Sequence, residues 1–142
     1  MADQISGTRF VPAPPQAIFD LLADPGKHPL IDGSGTVQGQ RSGPERLSLG
    51  ARFGVDMRYG MPYRITNTVM EFEEGRRIAW RHFGRHRWRY ELEPVEGGTQ
   101  VTETFDLSTV PALMRPGTRV MARHNKESIE KTLDRLVEHF SS

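Results

Sequence analysis

TRVMARHNKESIEKTLDRLVEHF, residues 118–140, is the stretch that decides the fold. Met121, Ala122, Ile129, Leu133, Leu136, Val137 and Phe140 recur at helical spacing and form one apolar stripe. Arg119, Arg123, Lys126, Glu127, Glu130, Lys131, Asp134, Arg135 and Glu138 occupy the remaining faces. The pattern predicts a single helix about 34 Å long at 1.5 Å per residue. A helix with one apolar stripe must lay that stripe on something.

The partner is readable upstream. From Thr36 to about Thr109 the periodicity changes to two. Turn signals fall at Gly43-Pro44, Gly60-Met61-Pro62, Glu74-Gly75, Gly84 and Gly97-Gly98. Strands joined by such short turns are expected to be consecutive antiparallel neighbours, here a meander of about six. Alternation assigns their faces. Phe53, Val55, Met57 and Tyr59 oppose Arg52, Asp56 and Arg58. Tyr63, Ile65, Asn67 and Val69 form the inner set of the next segment. Ile78, Trp80 and His82 oppose Arg81. Trp88, Tyr90 and Leu92 oppose Arg87, Arg89 and Glu91. Val101, Glu103, Phe105 and Leu107 oppose Thr102, Thr104 and Asp106. A sheet with one apolar and one charged face needs a single cover, which the long helix supplies.

Further upstream, QISGTRFV (4–11) reads as a first strand, stopped by Pro12, Pro14 and Pro15. A proline is tolerated in a helix's first turn. Ala17, Ile18, Leu21 and Leu22 then predict a short helix over 14–23, and 27–32 a further helical turn. The plan is α+β: one domain over 1–142, with about seven antiparallel strands, two short helices after the first strand and a long C-terminal helix. At 142 residues the chain can bury a sizeable core. The N-terminus lacks a basic region followed by an apolar run, no stretch is apolar enough to span a bilayer, and cysteine is absent. A cytoplasmic protein is expected. A net charge of +1 creates no global field for nucleic acid or an anionic membrane.

This layout resembles the helix-grip superfamily of START lipid-transfer domains, Bet v 1-like proteins and aromatase/cyclases. PPQAIFDLLADP (14–25) resembles its first helix. His28-Pro29 and Gly33-Ser34-Gly35 resemble the next segment of a bacterial polyketide cyclase/dehydrase-like branch. Arg77-Ile78-Ala79-Trp80 resembles the strand after the central hairpin, and Asn125 with Thr132–Leu136 the last helix. The resemblance covers essentially the whole chain. It implies a curved sheet gripping the helix around a cavity for a small hydrophobic molecule. It carries over no catalytic residue, because the superfamily has no universal catalytic motif.

Large aromatics on the inner face suit a flat or polyketide-like ligand. Met57, Tyr59, Tyr63, Asn67, Trp88, Tyr90, Phe105, Met121 and Asn125 are the expected lining, with the cavity toward the helix start and Leu133–Phe140 as packed core. Trp80 reads as core. Glu103 is the sharpest chemical candidate: burial among Trp88, Tyr90 and Phe105 would raise its pKa. It could then act in acid/base chemistry with His82, the alternative reading being a cyclase or dehydratase. Two bland readings stand beside this, a pairing of Glu103 with an arginine or a bulge that turns it outward. Asn125 could bind a ligand or satisfy a backbone carbonyl. Six arginines fall within residues 76–89. With glutamates on adjoining segments, they read as a solvated outer face rather than a nucleic-acid surface. His28, Asp32, His82, His86 and His124 show no metal-ligand spacing, and Ser34 has no nucleophile context, so neither metal nor cofactor is expected. A monomer or a homodimer fits equally.

Overall fold

The computed structural model describes residues 4–33, 37–81, 86–108, 110 and 122–141. The first strand, β1, spans Gln4–Val11. A short helix, α1 (Pro15–Leu22), a 3-10 turn at Pro25–Lys27 and one turn of helix, α2 (His28–Ile31), come after it. Six strands come next: β2 (Val37–Ser42), β3 (Arg52–Tyr59), β4 (Met61–Glu73), β5 (Arg77–Arg81), β6 (Arg87–Val95) and β7 (Gly98–Asp106). The described C-terminal helix, α3, covers Ala122–Ser141. Residues 118–121 of the expected helix, Met121 among them, lie outside the described residues.

Each boundary has a local cause. Pro15 opens α1 with a φ already suited to helix. Asp24 closes the next turn by accepting from the Gly26 amide at 3.0 Å. Gly60 and Gly97 take φ of 75° and 83° in the β3–β4 and β6–β7 turns, a region open to glycine.

The seven strands form one antiparallel sheet in the order β1-β7-β6-β5-β4-β3-β2, so β1 is brought beside the last strand of the meander. The registers confirm the alternation: Phe53, Val55, Met57, Ile65, Val69, Ile78, Leu92, Val101 and Phe105 are buried on one face. A register shift between Val69 and Glu71 breaks the period inside β4. Beyond it Phe72, not Glu71, points inward and meets Phe19 of α1 edge-on at 5.3 Å. Glu71 is thereby turned to the outer face.

Helix α3 lies over β1, with a lighter contact to β7. Ile129, Leu133 and Leu136 are fully buried there. The approach is close at two glycines. A Cβ on Gly7 would stand 3.0 Å from Ile129 Cγ2 and 3.2 Å from Leu133 Cδ1. A Cβ on Gly33 would stand 2.6 Å from the Thr132 amide nitrogen and closer still to the Ser128 carbonyl. The Gly33 amide donates to Thr132 Oγ1 at 2.8 Å. Ser128 and Thr132 are buried as a second face of α3, one that the apolar stripe did not include. A polar seam completes the seat: Arg9 on β1 binds Glu130 at 2.7 Å and also Asp134, and Lys126 Nζ donates to the Ser6 carbonyl at 2.6 Å.

Because Gly33 meets helix backbone, which cannot rotate away, Gly33→Ala should cost about 1–3 kcal/mol. Gly39→Ala, where nothing lies within 4 Å of the new Cβ, should change stability by less than about 0.5 kcal/mol. Urea unfolding midpoints of the two variants check the difference, and equal midpoints would contradict the packing described.

Candidate functional site

The site is built on β6 and β7. Tyr90 and Glu103 are direct cross-strand neighbours, and Gly7 of β1 stands opposite Glu103 on its other side. Trp88 and Phe105 form the adjacent pair on the same face, with ring centroids 4.7 Å apart. Glu103 is only 3% exposed. Neither bland reading of it holds: β7 carries no bulge, and no arginine pairs with it among the described residues. Its Oε2 accepts the Tyr90 hydroxyl at 3.0 Å, while Oε1 has no hydrogen-bond partner among the described residues. Burial pushes the Glu103 carboxyl well above the usual carboxylate range, opposed by the Tyr90 bond and reinforced by the charges of Asp32 and Glu130. Burial first, and then Glu103, push the Tyr90 hydroxyl up as well.

The rest of the expected lining divides. Met57 and Asn67 are buried on the inner face of β3 and β4. Tyr63 pairs with Met57 in register but is 39% exposed near the hairpin end, so it stands at the rim. Tyr59 belongs to β3, but its side chain lies outside the described residues, as does His82 entirely. Asn125 is buried on α3, one turn before Ile129. The β3–β4 group and the β6–β7 group are separated by β5. Trp80 bridges them, 5.7 Å from Phe53 on one side and 5.7 Å from Tyr90 on the other.

His28 is a member of this surface that the sequence pattern does not place there; read from sequence, it is a metal-ligand candidate set aside for want of ligand spacing. Its ring stacks on Trp80 at 4.8 Å and meets Phe53 edge-on. Its Nε2 donates to the Leu22 carbonyl at 2.8 Å, an oxygen that can only accept. Burial lowers its pKa, so it is a neutral ring in an aromatic wall. Helix α2 has only four residues, too few for periodicity to show which way His28 faces. Next to the β6–β7 group, His86 lies 4.8 Å from Phe105, and burial lowers its pKa to about 4. No cluster of three metal-capable side chains occurs among the described residues.

The outer face has different electrostatics. Arg89 donates through Nε and Nη2 to both Glu71 oxygens, at 3.0 and 2.8 Å, and through Nη2 to Asp106 at 2.8 Å. Arg87 adds a bond to Glu71 at 2.9 Å. Hydrogen bonds from Arg89 hold the Glu71 carboxyl below its ordinary range. Burial pulls Asp106 upward, but bonds from Ser108 and Arg89 outweigh it and lower its pKa. A shallow depression of about 440 Å³ also lies on this face, among Glu73, Arg76, Arg77, Glu91, Glu93 and Gln100. Charges of both signs alternate there, on the side of the sheet away from Glu103.

An antiparallel sheet gripping a C-terminal helix, with short helices after its first strand, defines a helix-grip protein. The chain belongs to the family described as "Polyketide cyclase / dehydrase and lipid transport", whose match runs over residues 2–141. It is 36% identical to the "Uncharacterized protein Rv0088" of Mycobacterium tuberculosis H37Rv, over 97% of this chain and 64% of that protein. The chain thus spans just under two-thirds of that relative's length. Among solved structures it is similar to a Rhodobacter sphaeroides protein, with TM-score 0.72 and 18% identity, covering 99% of this chain and 93% of the other. It is also similar to DynU16, from the dynemicin biosynthetic locus, with TM-score 0.69 and 16% identity, covering all of this chain and 48% of that one. At these identities the structural likeness is one of fold. No described helix is long and apolar enough to cross a membrane.

The raised Glu103 pKa makes a signed prediction. Below about pH 4.5 the carboxyl is protonated whether the chain is folded or not. Above that value the unfolded chain ionises while the folded site holds its proton, so unfolding releases a proton and stability falls as pH rises, until the folded pKa is passed. Glu103→Gln removes this cost. Thermal unfolding from pH 4 to 8 should show the variant gaining on the wild type as pH increases; parallel curves would exclude a buried neutral acid.

Proposed function

We propose that this protein binds a small, largely apolar, ring-bearing molecule between the sheet and helix α3, with Glu103 and Tyr90 anchoring its polar group. The observation that carries this reading is the Glu103 carboxyl: buried, bonded on one oxygen by Tyr90 and unpartnered on the other among the described residues. Native structures rarely leave a buried polar atom unsatisfied, and such an atom calls for a water or a ligand group. Aromatic walls with a few convergent polar groups are the usual composition of a small-molecule site. Trp80, Trp88, Phe105 and His28 supply the walls, and Met57, Asn67 and Asn125 extend the surface. Membership of a cyclase, dehydrase and lipid-transport family supports a ligand of this class.

A second reading is favoured by the same carboxyl. A neutral acid with a hydroxyl partner, shielded from water, is equipped to deliver or accept a proton during cyclisation or dehydration. In that reading Glu103 is the acid/base group, with His82 as its proposed partner. The two readings share the site and differ in whether the bound molecule leaves changed.

Native mass spectrometry of the purified protein should reveal an adduct of a few hundred daltons that dissociates on collisional activation. Glu103→Gln, which keeps the shape of the neutral acid, should reduce adduct occupancy by about tenfold. Equal occupancy in both proteins would remove Glu103 from the site. Recovery of a dehydrated or cyclised product from the wild type alone would favour the enzymatic reading.

A further inference from the structure

The ligand reading leaves open what group meets Glu103, and the surroundings of that residue narrow it. Oε1 is the atom without a partner among the described residues, and it sits on a residue that is only 3% exposed. Among the described residues, no lysine, arginine or histidine forms a hydrogen bond or ion pair with the carboxyl. Among the described residues, the charges that act on it, from Asp32 and Glu130, are negative. Glu130 is met by Arg9 at 2.7 Å and Lys126 at 3.0 Å, and Asp32 receives the Val37 amide at 2.9 Å. The nearby rings are electron-rich: Tyr90 and Trp80 lie 5.7 Å apart, and Trp88 lies against Phe105. Aromatic faces attract cations through their quadrupoles, most strongly where water is excluded.

Resting on the ligand-binding reading above, we propose that the polar end of the ligand is a protonated amine, seated against Glu103 Oε1 and flanked by the rings of Tyr90 and Trp80. A carboxylate or phosphate head would set a second acidic group against the Glu103 oxygen and the described charges of Asp32 and Glu130. An alcohol satisfies the oxygen but brings no charge for the ring faces to attract. The ammonium group enters carrying its charge, the Glu103 proton leaves to bulk solvent, and a neutral ion pair remains, held on its acidic side by the Tyr90 hydroxyl. Binding therefore releases to solvent the proton that the free site holds on Glu103.

Isothermal titration at pH 7 with 1-naphthylmethylamine, 1-naphthylmethanol and 1-naphthoate tests this, because the three share one ring system. The amine should bind about tenfold more tightly than the alcohol, with the naphthoate weakest. The heat of amine binding should vary with the ionisation enthalpy of the buffer, in the sense of net proton release. In Glu103→Gln, the neutral isostere of the protonated acid, amine and alcohol should bind alike and the buffer dependence should vanish. Equal amine and alcohol affinities in the wild type would overturn the amine assignment while leaving the ligand-binding reading intact. A preference that persists in Glu103→Gln would overturn it too, by placing the recognition elsewhere. Failure of all three probes to bind, with no adduct in the native mass spectrum, would remove the underlying reading itself.

Discussion

The close seat of helix α3 on β1 is the contact on which the remaining structure depends. At Gly7 the strand offers no side chain, so Ile129 and Leu133 reach the sheet backbone. At Gly33 the chain leaving α2 passes so near α3 that only a hydrogen fits. These two glycines fix the helix from both sides, one beneath it and one beside it. The polar seam of Arg9 with Glu130 and Asp134 sets its position along β1. Exposed pairs of this kind contribute little energy singly, so they act as register while the buried stripe supplies most of the stability.

The seat also explains where the chemistry sits. Glu103 faces Gly7 across the β1–β7 pairing, so it lies beneath the helix's footing and is cut off from water. On the other side it faces Tyr90, whose hydroxyl is the donor it receives. Moving away from the helix, Trp80 and then Phe53 and Asn67 continue the inner surface toward β3. The same contact thus closes one side of the sheet as core and leaves its polar element at the boundary with the aromatic wall.

Much of this was legible because it rests on unbroken periods. Strand β7 alternates from Val101 to Phe105 without interruption, so parity alone places Glu103 inside and Thr102 outside. The turn glycines marked the β3–β4, β4–β5 and β6–β7 hairpins for the same reason: a positive φ is demanding, and glycine meets the demand. What stayed hidden has physical causes too. The irregularity after Val69 inserts one residue, and no local composition announces it, yet it sends Phe72 inward and Glu71 outward. Ser128 and Thr132 are small and polar, which reads as neither stripe nor charged face; their burial comes from Gly33, distant in sequence. His28 sits in a helix too short to have a legible face.

Glu103 and Asp106 show how little the residue type decides and how much the partner does. Both lie on β7 and both are almost fully buried, yet their pKa values move in opposite directions. Asp106 points to the outer face, where Arg89 and Ser108 supply donors, so burial is outweighed and the carboxylate stays charged. Glu103 points to the inner face, where, among the described residues, a tyrosine hydroxyl is its one donor and the charges acting on it are negative. A purely structural acid at this position would be served better by the outer arrangement, which the sheet evidently can build three residues away. The inner carboxyl keeps one oxygen without a partner among the described residues, and that supports the proposed site at Glu103 over one on the larger arginine cluster of the opposite face.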